Sequence, residues 1–96
     1  MRLIDDHSIE ADLDSRQVVW FGRRGSIRVS GTLGASGALA LHWRPTEKSP
    51  DVKVADLMVG NNEINPDAGW LFIRFAAGSE APSGVTVDLF ERPLGY

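Results

Sequence analysis

Residues 26 to 44 read SIRVSGTL-GASG-ALALHWR, and this stretch decides the fold. Its first eight residues alternate between apolar and polar side chains, so that Ile27 and Val29 share one face of an extended strand. Its last seven residues repeat the alternation, with Leu39 and Leu41 on one face. The four residues in between are small and rich in glycine, which is typical of a turn. The stretch therefore predicts two antiparallel strands that form a hairpin.

Short apolar runs continue on both sides of this stretch, and turn residues separate them. The runs that we expect to be extended are residues 16–22, 52–59, 70–76 and 85–91. Between them lie glycine, proline and asparagine, including Gly60-Asn61-Asn62, which we expect to form a turn. Regular short strands without a helical pattern predict an all-β fold. We expect a small antiparallel β-sandwich or a jelly-roll-like barrel of about six to eight short strands.

One face of each expected strand is apolar, and these faces are expected to pack together as the core. A chain of 96 residues, 43% hydrophobic and 24% charged, has the composition of a single folded domain. The expected core residues are Val18, Ile27, Val29, Leu39, Leu41, Trp43, Leu71, Ile73, Phe75, Val85, Val87 and Leu89.

The composition also excludes several classes of site. The chain has no cysteine, which rules out disulfides, cysteine-based zinc sites and thiol catalysis. No apolar run approaches the roughly 18 residues of a membrane span, so we expect no membrane partner. The first six residues are acidic where a signal peptide would be basic and then apolar, and we expect no cleaved leader.

Charge is distributed unevenly along the chain. Residues 1–14 carry one basic and five acidic side chains, whereas residues 15–44 carry five arginines and no acid. Segments of opposite charge often lie against each other, within one chain or across a subunit contact. We therefore expect residues 1–14 to form an acidic arm on a β-sandwich domain of residues 15–96. The residues expected to contact a neighbouring subunit or another protein surface are Asp5, Asp6, Asp12, Asp14, Arg23 and Arg24.

The run that begins at Trp70 is apolar on both faces. If its alternate residues Leu71 and Ile73 face the core, Trp70 and Phe72 project to the other side together with Arg74. A second apolar face needs a cover, either from a loop of the same chain or from a neighbouring subunit. The residues expected to form a self-association surface are Trp20, Phe21, Trp70, Phe72 and Arg74. Aromatic side chains on a sheet can also stack on sugars, and this alternative stays open.

The chain carries no recognisable catalytic or ligand-binding motif. His7 lies among acids near the start of the chain, and His42 alternates with core residues on a strand, so neither needs a catalytic role. The Asp12-Leu13-Asp14 pair lacks the further oxygen ligands of a calcium loop. The arginines lack interleaved aromatic residues that would indicate nucleic-acid binding. We expect no catalytic residue, cofactor, metal or nucleic-acid partner.

The order of strands and turns resembles small β-sandwich proteins of tailed-bacteriophage virions, of the head-decoration (cement) or head-fibre type. The resemblance covers residues 25–89. It lies in Gly-Ala-Ser-Gly at 34–37, Ala-Leu-Ala-Leu-His-Trp-Arg-Pro at 38–45, Gly-Trp-Leu-Phe-Ile-Arg-Phe at 69–75 and Gly-Val-Thr-Val-Asp-Leu at 84–89. No stem sequence of the fibre type accompanies these strands, which favours decoration over a fibre role.

This resemblance implies a structural protein that is not an enzyme and that is located on the capsid surface of a virion. It implies self-association, commonly as a homotrimer, and contacts that clamp neighbouring subunits of the major capsid protein. The alternative is a tail or head-fibre module that binds a host-surface glycan. An exposed pair of coplanar aromatic rings beside Asp or Asn side chains would favour that alternative.

Overall fold

The structure, a computed structural model, describes residues 1–91, and every regular element among them is a β-strand. The strands are β1 (Arg2–His7), β2 (Leu13–Asp14), β3 (Val18–Trp20), β4 (Gly25–Thr32), β5 (Ala38–Arg44), β6 (Val52–Leu57), β7 (Gly60–Ile64), β8 (Gly69–Ala76) and β9 (Ser83–Glu91). The all-β prediction is confirmed. In the described part of the chain, no helical segment has the length and hydropathy of a membrane span.

The strands form two antiparallel sheets whose apolar faces enclose one core. The four-stranded sheet has the order β1-β9-β4-β7, and the five-stranded sheet has the order β2-β8-β5-β6 with β3 also paired to β8. This arrangement is that of a small β-sandwich. Residues 60–62, expected to form a turn, instead belong to β7, which pairs with β4 at the edge of the four-stranded sheet.

The predicted hairpin at residues 26–44 is wrong. The two strands exist, but β4 pairs with β9 and β7 in one sheet, whereas β5 pairs with β8 and β6 in the other. The turn between them carries the chain across the sandwich, and Gly31 (φ 95°) and Gly34 (φ 85°) supply left-handed backbone on that path. Alternation identifies the buried face of each strand and leaves the pairing partner undetermined.

The core contains the residues expected from the sequence, with one exception. Trp43 is only half-buried, and its indole Nε1 donates to the carbonyl oxygens of Asp67 (3.1 Å) and Ala68 (3.3 Å) at the rim of the sandwich. The other eleven expected residues are buried. Buried residues that we did not expect in the core are Leu3, Ile4, Trp20, Leu57 and Ile64.

The predicted N-terminal arm is also wrong, because residues 1–14 belong to the sandwich. β1 pairs with β9, and Leu3 and Ile4 are both buried in the core. Shifts of register on both sides of Ile4 let two consecutive side chains point inward, so the apolar alternation of a strand was hidden in the sequence. β2 pairs with β8 in the other sheet, so the segment supports both layers.

Candidate interaction surfaces

The outer face of the five-stranded sheet carries three of the residues expected to mediate self-association. On β8, Trp70 lies opposite Arg44 of β5, and Phe72 lies opposite His42. The alternate residues of β8 point into the core, as expected. The outward direction of Trp70, Phe72 and Arg74 therefore agrees with the sequence analysis.

Phe72 nevertheless does not offer an exposed contact, because its own chain covers it. Only 2% of its surface is exposed. The His42 ring stacks on the Phe72 ring with centroids 5.3 Å apart, and the guanidinium groups of Arg44 and Arg74 lie 5.0 and 5.2 Å from its centroid. These are cation–π distances. Phe72 thus forms a second, smaller packing centre beneath polar side chains, and its expected role as a contact surface is corrected.

Asp51, in the β5–β6 loop, connects the polar side chains that cover Phe72. Its Oδ2 lies 2.8 Å from His42 Nδ1 and accepts a hydrogen bond from Arg74 Nη1 at 3.1 Å. Arg44 Nη2 lies 3.8 Å from Asp51 Oδ1. Arg74 also donates two hydrogen bonds to Asp14, at 2.9 and 3.1 Å. We call these five residues the Asp51 cluster; it ties β2, β8, β5 and the β5–β6 loop together.

The Asp51 cluster changes the protonation behaviour of two of its members. Partial burial alone would raise the pKa of Asp51, but the hydrogen bond with His42 and the charge of Arg74 outweigh it and hold this pKa below its ordinary value. The hydrogen bonds to Asp14 raise the pKa of Arg74, against the opposing effect of desolvation. The lowered pKa favours the charged form of Asp51 beside the guanidinium groups of Arg44 and Arg74.

A smaller aromatic surface remains exposed next to this cluster. Val19 is 44% exposed and lies directly opposite the half-buried Trp70 in the β3–β8 ladder, and Phe21, which is 70% exposed, follows β3 two residues after Val19. We call these three residues the Trp70 patch. Trp20 does not belong to it: its ring is 1% exposed in the core, and its Nε1 donates to the Arg23 carbonyl oxygen at 3.0 Å.

The sequence does contain a signal that Trp20 belongs to the core. Consecutive residues on a strand point to opposite faces, so Trp20 and Phe21 cannot both face outward. Trp20 has the same parity as Val18, an expected core residue, and both are buried. The same parity puts Val19 on the outer face with Trp70, and sequence reasoning missed it.

Four of the six charged residues expected at a capsid or subunit contact have partners within the chain, and none of these four pairs with another of the six. Arg2 Nη1 lies 3.2 Å from Asp5 Oδ1, the Asp12 carboxylate accepts a hydrogen bond from the Ala77 amide at 2.8 Å, and Arg23 Nη1 lies 3.9 Å from Glu91 Oε2. Asp14 is engaged by Arg74. The outward-facing residues Asp6 and Arg24 are exposed. Pairing between the acids and Arg23 or Arg24 across two subunits stays a prediction.

Two open hollows lie beside these residues. One, of about 300 Å³, is lined by Asp12, Leu13, Asp14, Arg74, Phe75 and Ala76, and the other, of about 340 Å³, by Arg24, Glu63, Ile64 and Asn65. Within residues 1–91, no three His, Asp or Glu side chains assemble into a group that could hold a metal ion. His7 packs its ring edge against Phe75, with centroids 5.1 Å apart.

A second exposed apolar surface, which sequence reasoning missed, lies at the opposite end of the five-stranded sheet. It comprises Val52, Val54, Met58 and Val59, on β6 and the connection to β7. Asn62 fixes this connection: its Oδ1 accepts from the Met58 amide and its Nδ2 donates to the Met58 carbonyl oxygen, both at 2.9 Å. Met58 is held in place by this amide although 72% of it is exposed. We call this surface the β6 edge.

Comparisons with protein-family models, with curated proteins and with solved structures find no match for this chain.

Proposed function

We propose that this chain is a non-enzymatic structural protein of a tailed-bacteriophage virion, a decoration protein on the capsid surface that associates with itself and clamps neighbouring major capsid subunits. The order of strands and turns that resembles such proteins supports this proposal. The observation that carries it is the Trp70 patch, an exposed aromatic surface on a sheet whose neighbouring side chains are fixed by the Asp51 cluster.

The composition of the Trp70 patch and its surroundings suits a protein contact. Interfaces are enriched in aromatic residues and arginine at their centre and have a polar rim. Phe21 and Trp70 supply aromatic area, and Arg44 lies directly opposite Trp70. Arg44 is already packed on Phe72, so little conformational freedom remains to be lost when a partner binds.

The resemblance implies a homotrimer and a second contact, to the major capsid protein. For that contact we propose the exposed charged residues expected from the sequence, with Asp5, Asp6 and Arg24 on the surface of the folded chain. Asp5 is paired with Arg2, but its side chain is 73% exposed and stays accessible to a partner. Asp12, Asp14 and Arg23 also have partners within the chain and would join the contact only at its rim.

The experiment compares two phenylalanine variants on opposite sheets. Phe21→Ala removes the most exposed ring of the Trp70 patch, and Phe90→Ala removes a ring that is also exposed but on the four-stranded sheet. Binding to empty capsids of the phage that encodes the chain is measured by co-sedimentation. We expect Phe21→Ala, and Trp70→Ala with it, to lose capsid occupancy and the self-association that runs through the Trp70 patch, while Phe90→Ala retains both. Equal occupancy of all three variants and the wild type contradicts the proposal.

The glycan-binding alternative is favoured by the same exposed ring next to polar groups. Phe21 and Trp70 could present ring faces to a sugar, with the Asp51 cluster nearby to accept and donate hydrogen bonds. Titration of the monomeric chain with host-surface oligosaccharides, followed by tryptophan fluorescence, distinguishes the two functions. Saturable quenching that Phe21→Ala removes supports the glycan-binding module over the decoration protein.

A further inference from the structure

We propose that the β6 edge is a contact between two copies of this chain, in which β6 pairs antiparallel with β6 of the second copy around a two-fold axis and joins the two five-stranded sheets edge to edge. Among residues 1–91, β6 pairs only with β5 and ends the sheet. Its other side therefore presents backbone groups to which a strand can be added. The inference does not depend on a role in a virion.

A β-bulge gives β6 an unusual arrangement of charge. Ala40 and His42 are two residues apart on β5, but they lie opposite Asp56 and Lys53, which are three residues apart on β6. Val54 lies at this shift of register. As a result Lys53 and Asp56 reach the same outer face, where Lys53 Nζ lies 3.0 Å from Asp56 Oδ1. Without the bulge they would point to opposite faces.

This arrangement is complementary to itself under two-fold symmetry. Because the bulged residue Val54 takes no place in the register, an axis perpendicular to the sheet at Ala55 places Lys53 of each copy opposite Asp56 of the other, on the same face. Opposite charges that face each other across strands stabilise the pairing. A parallel pairing in register would oppose Lys53 to Lys53 and Asp56 to Asp56, which destabilises it. The charges therefore select the antiparallel, isologous contact of a symmetric dimer.

The same axis brings exposed apolar side chains under cover. The exposed Val52 of one copy comes opposite Leu57 of the other, which is already buried in its own core, and the exposed Met58 and Val59 lie just beyond this pair. Because Asn62 already fixes the backbone of Met58 within one chain, association costs little ordering entropy at this corner. The contact thus combines apolar burial with two symmetric ion pairs.

Lysine and a bulge on an edge strand usually discourage pairing with another chain. Here their effect is reversed, because the bulge brings an acid to the same face as the lysine. A second copy then offers Lys53 a carboxylate, whereas an unrelated strand offers no matched charge. The β6 edge is therefore selective for a second copy of this chain.

A charge-reversal series tests the contact. In Lys53→Asp both symmetric pairs become like-charged, and in the double variant Lys53→Asp with Asp56→Lys the complementarity returns. Lys48→Asp, in the exposed loop before β6, is the matched control. Sedimentation velocity should give the wild type and Lys48→Asp an even number of 10.5 kDa chains. Lys53→Asp should halve that mass and raise the dissociation constant at least about tenfold, and the double variant should restore it.

Amide hydrogen exchange supplies a second measurement that needs no variant. Exchange in residues 52–57 of the wild type should slow as protein concentration rises, whereas exchange in β1 should not change. A wild type that is monomeric or has an odd number of chains at all concentrations overturns the proposal. So does a Lys53→Asp mass equal to that of Lys48→Asp, a double variant that stays dissociated, or exchange in β6 that is independent of concentration. Loss of capsid occupancy in Phe21→Ala bears only on the proposed function.

Discussion

At the scale of single residues, Phe72 shows why an apolar side chain on an outer face need not be a contact surface. It is buried beneath His42, Arg44 and Arg74 rather than beneath a partner. Its packing therefore contributes to the stability of the isolated chain. Trp70 lies two residues before Phe72 on the same face of β8. It is half-buried and lies opposite the exposed Val19.

We expect Phe72→Ala to destabilise the isolated chain and Phe21→Ala to leave its stability unchanged. Removing a buried phenylalanine costs about 3 to 5 kcal/mol of unfolding free energy. Phe72 should lie near the lower end, because its cover is polar and can partly collapse. Urea unfolding followed by circular dichroism measures both variants. A Phe72→Ala chain as stable as the wild type would mean that the cover of Phe72 opens in solution.

Asp51 gives a prediction on pH. Its pKa is lower in the folded chain than its ordinary value, so the unfolded chain binds the proton more readily. The stability that Asp51 contributes is fully present above about pH 4, the ordinary range of an aspartate, and is lost as the pH falls through the lowered pKa of the folded chain. The difference in unfolding free energy between wild type and Asp51→Asn should therefore shrink as the pH falls from 6 towards 2. Asp67→Asn, at an exposed position, is the control. A difference in unfolding free energy that does not change with pH would contradict a stabilising role for the charge of Asp51.

At the scale of elements, β1 shows where the distribution of charge gave a wrong prediction, because it is a strand of the sandwich and not part of an arm. Five acids in 14 residues suggested a solvated arm, yet Leu3 and Ile4 bury their side chains in the core. The Met1 amino group donates to the Leu89 carbonyl oxygen at 2.9 Å, so the contact with β9 begins one residue before β1. The chain therefore needs this segment to complete the four-stranded sheet.

We expect Ile4→Ala to lower the free energy of unfolding by about 2 to 5 kcal/mol. Ile9→Ala, which truncates a 68% exposed isoleucine in the β1–β2 connection, should have little effect. Thermal unfolding of the two variants makes the comparison with the same chemical change. Equal melting temperatures of the two variants would contradict the packing of Ile4 in the core and support an arm at residues 1–14.

The sequence predicted the strands better than their pairing. Period-two alternation correctly identified the extended runs and eleven of twelve expected core residues, because burial of one face is a local property of each strand. It could not find β1 or the bulge in β6, where irregular register breaks the alternation. It also could not tell that β4 and β5 lie in different sheets, because partner choice depends on contacts distant in sequence.

The surfaces were harder to predict than the core for a related reason. The sequence named Trp70 and Phe72 together, but which of the two is covered depends on Asp51, far away along the chain. The β6 edge depends on a bulge that brings Lys53 and Asp56 to one face. Side chains that share a face only after folding leave no periodic signal in the sequence.

At the scale of the whole molecule, the two exposed apolar surfaces lie at opposite ends of one sheet. The Trp70 patch lies on β8, on β3 and at Phe21 directly after β3, whereas the β6 edge lies beyond β5. With strands about 4.8 Å apart, β8 and β6 are separated by about 10 Å and β3 and β6 by about 14 Å. Substitutions this far apart and without shared partners usually have additive effects.

We therefore expect the effects of Phe21→Ala and Lys53→Asp on association to add. Sedimentation equilibrium of the wild type, the two single variants and the double variant gives the four association free energies. The double variant should equal the sum of the single effects within about 0.5 kcal/mol, because neither substitution alters the residues that the other one contacts. If both substitutions acted on one shared contact, the double variant would be no weaker in association than the weaker single variant. That result would indicate a single interface. Restored association in the double variant Lys53→Asp with Asp56→Lys would then place this interface at the β6 edge.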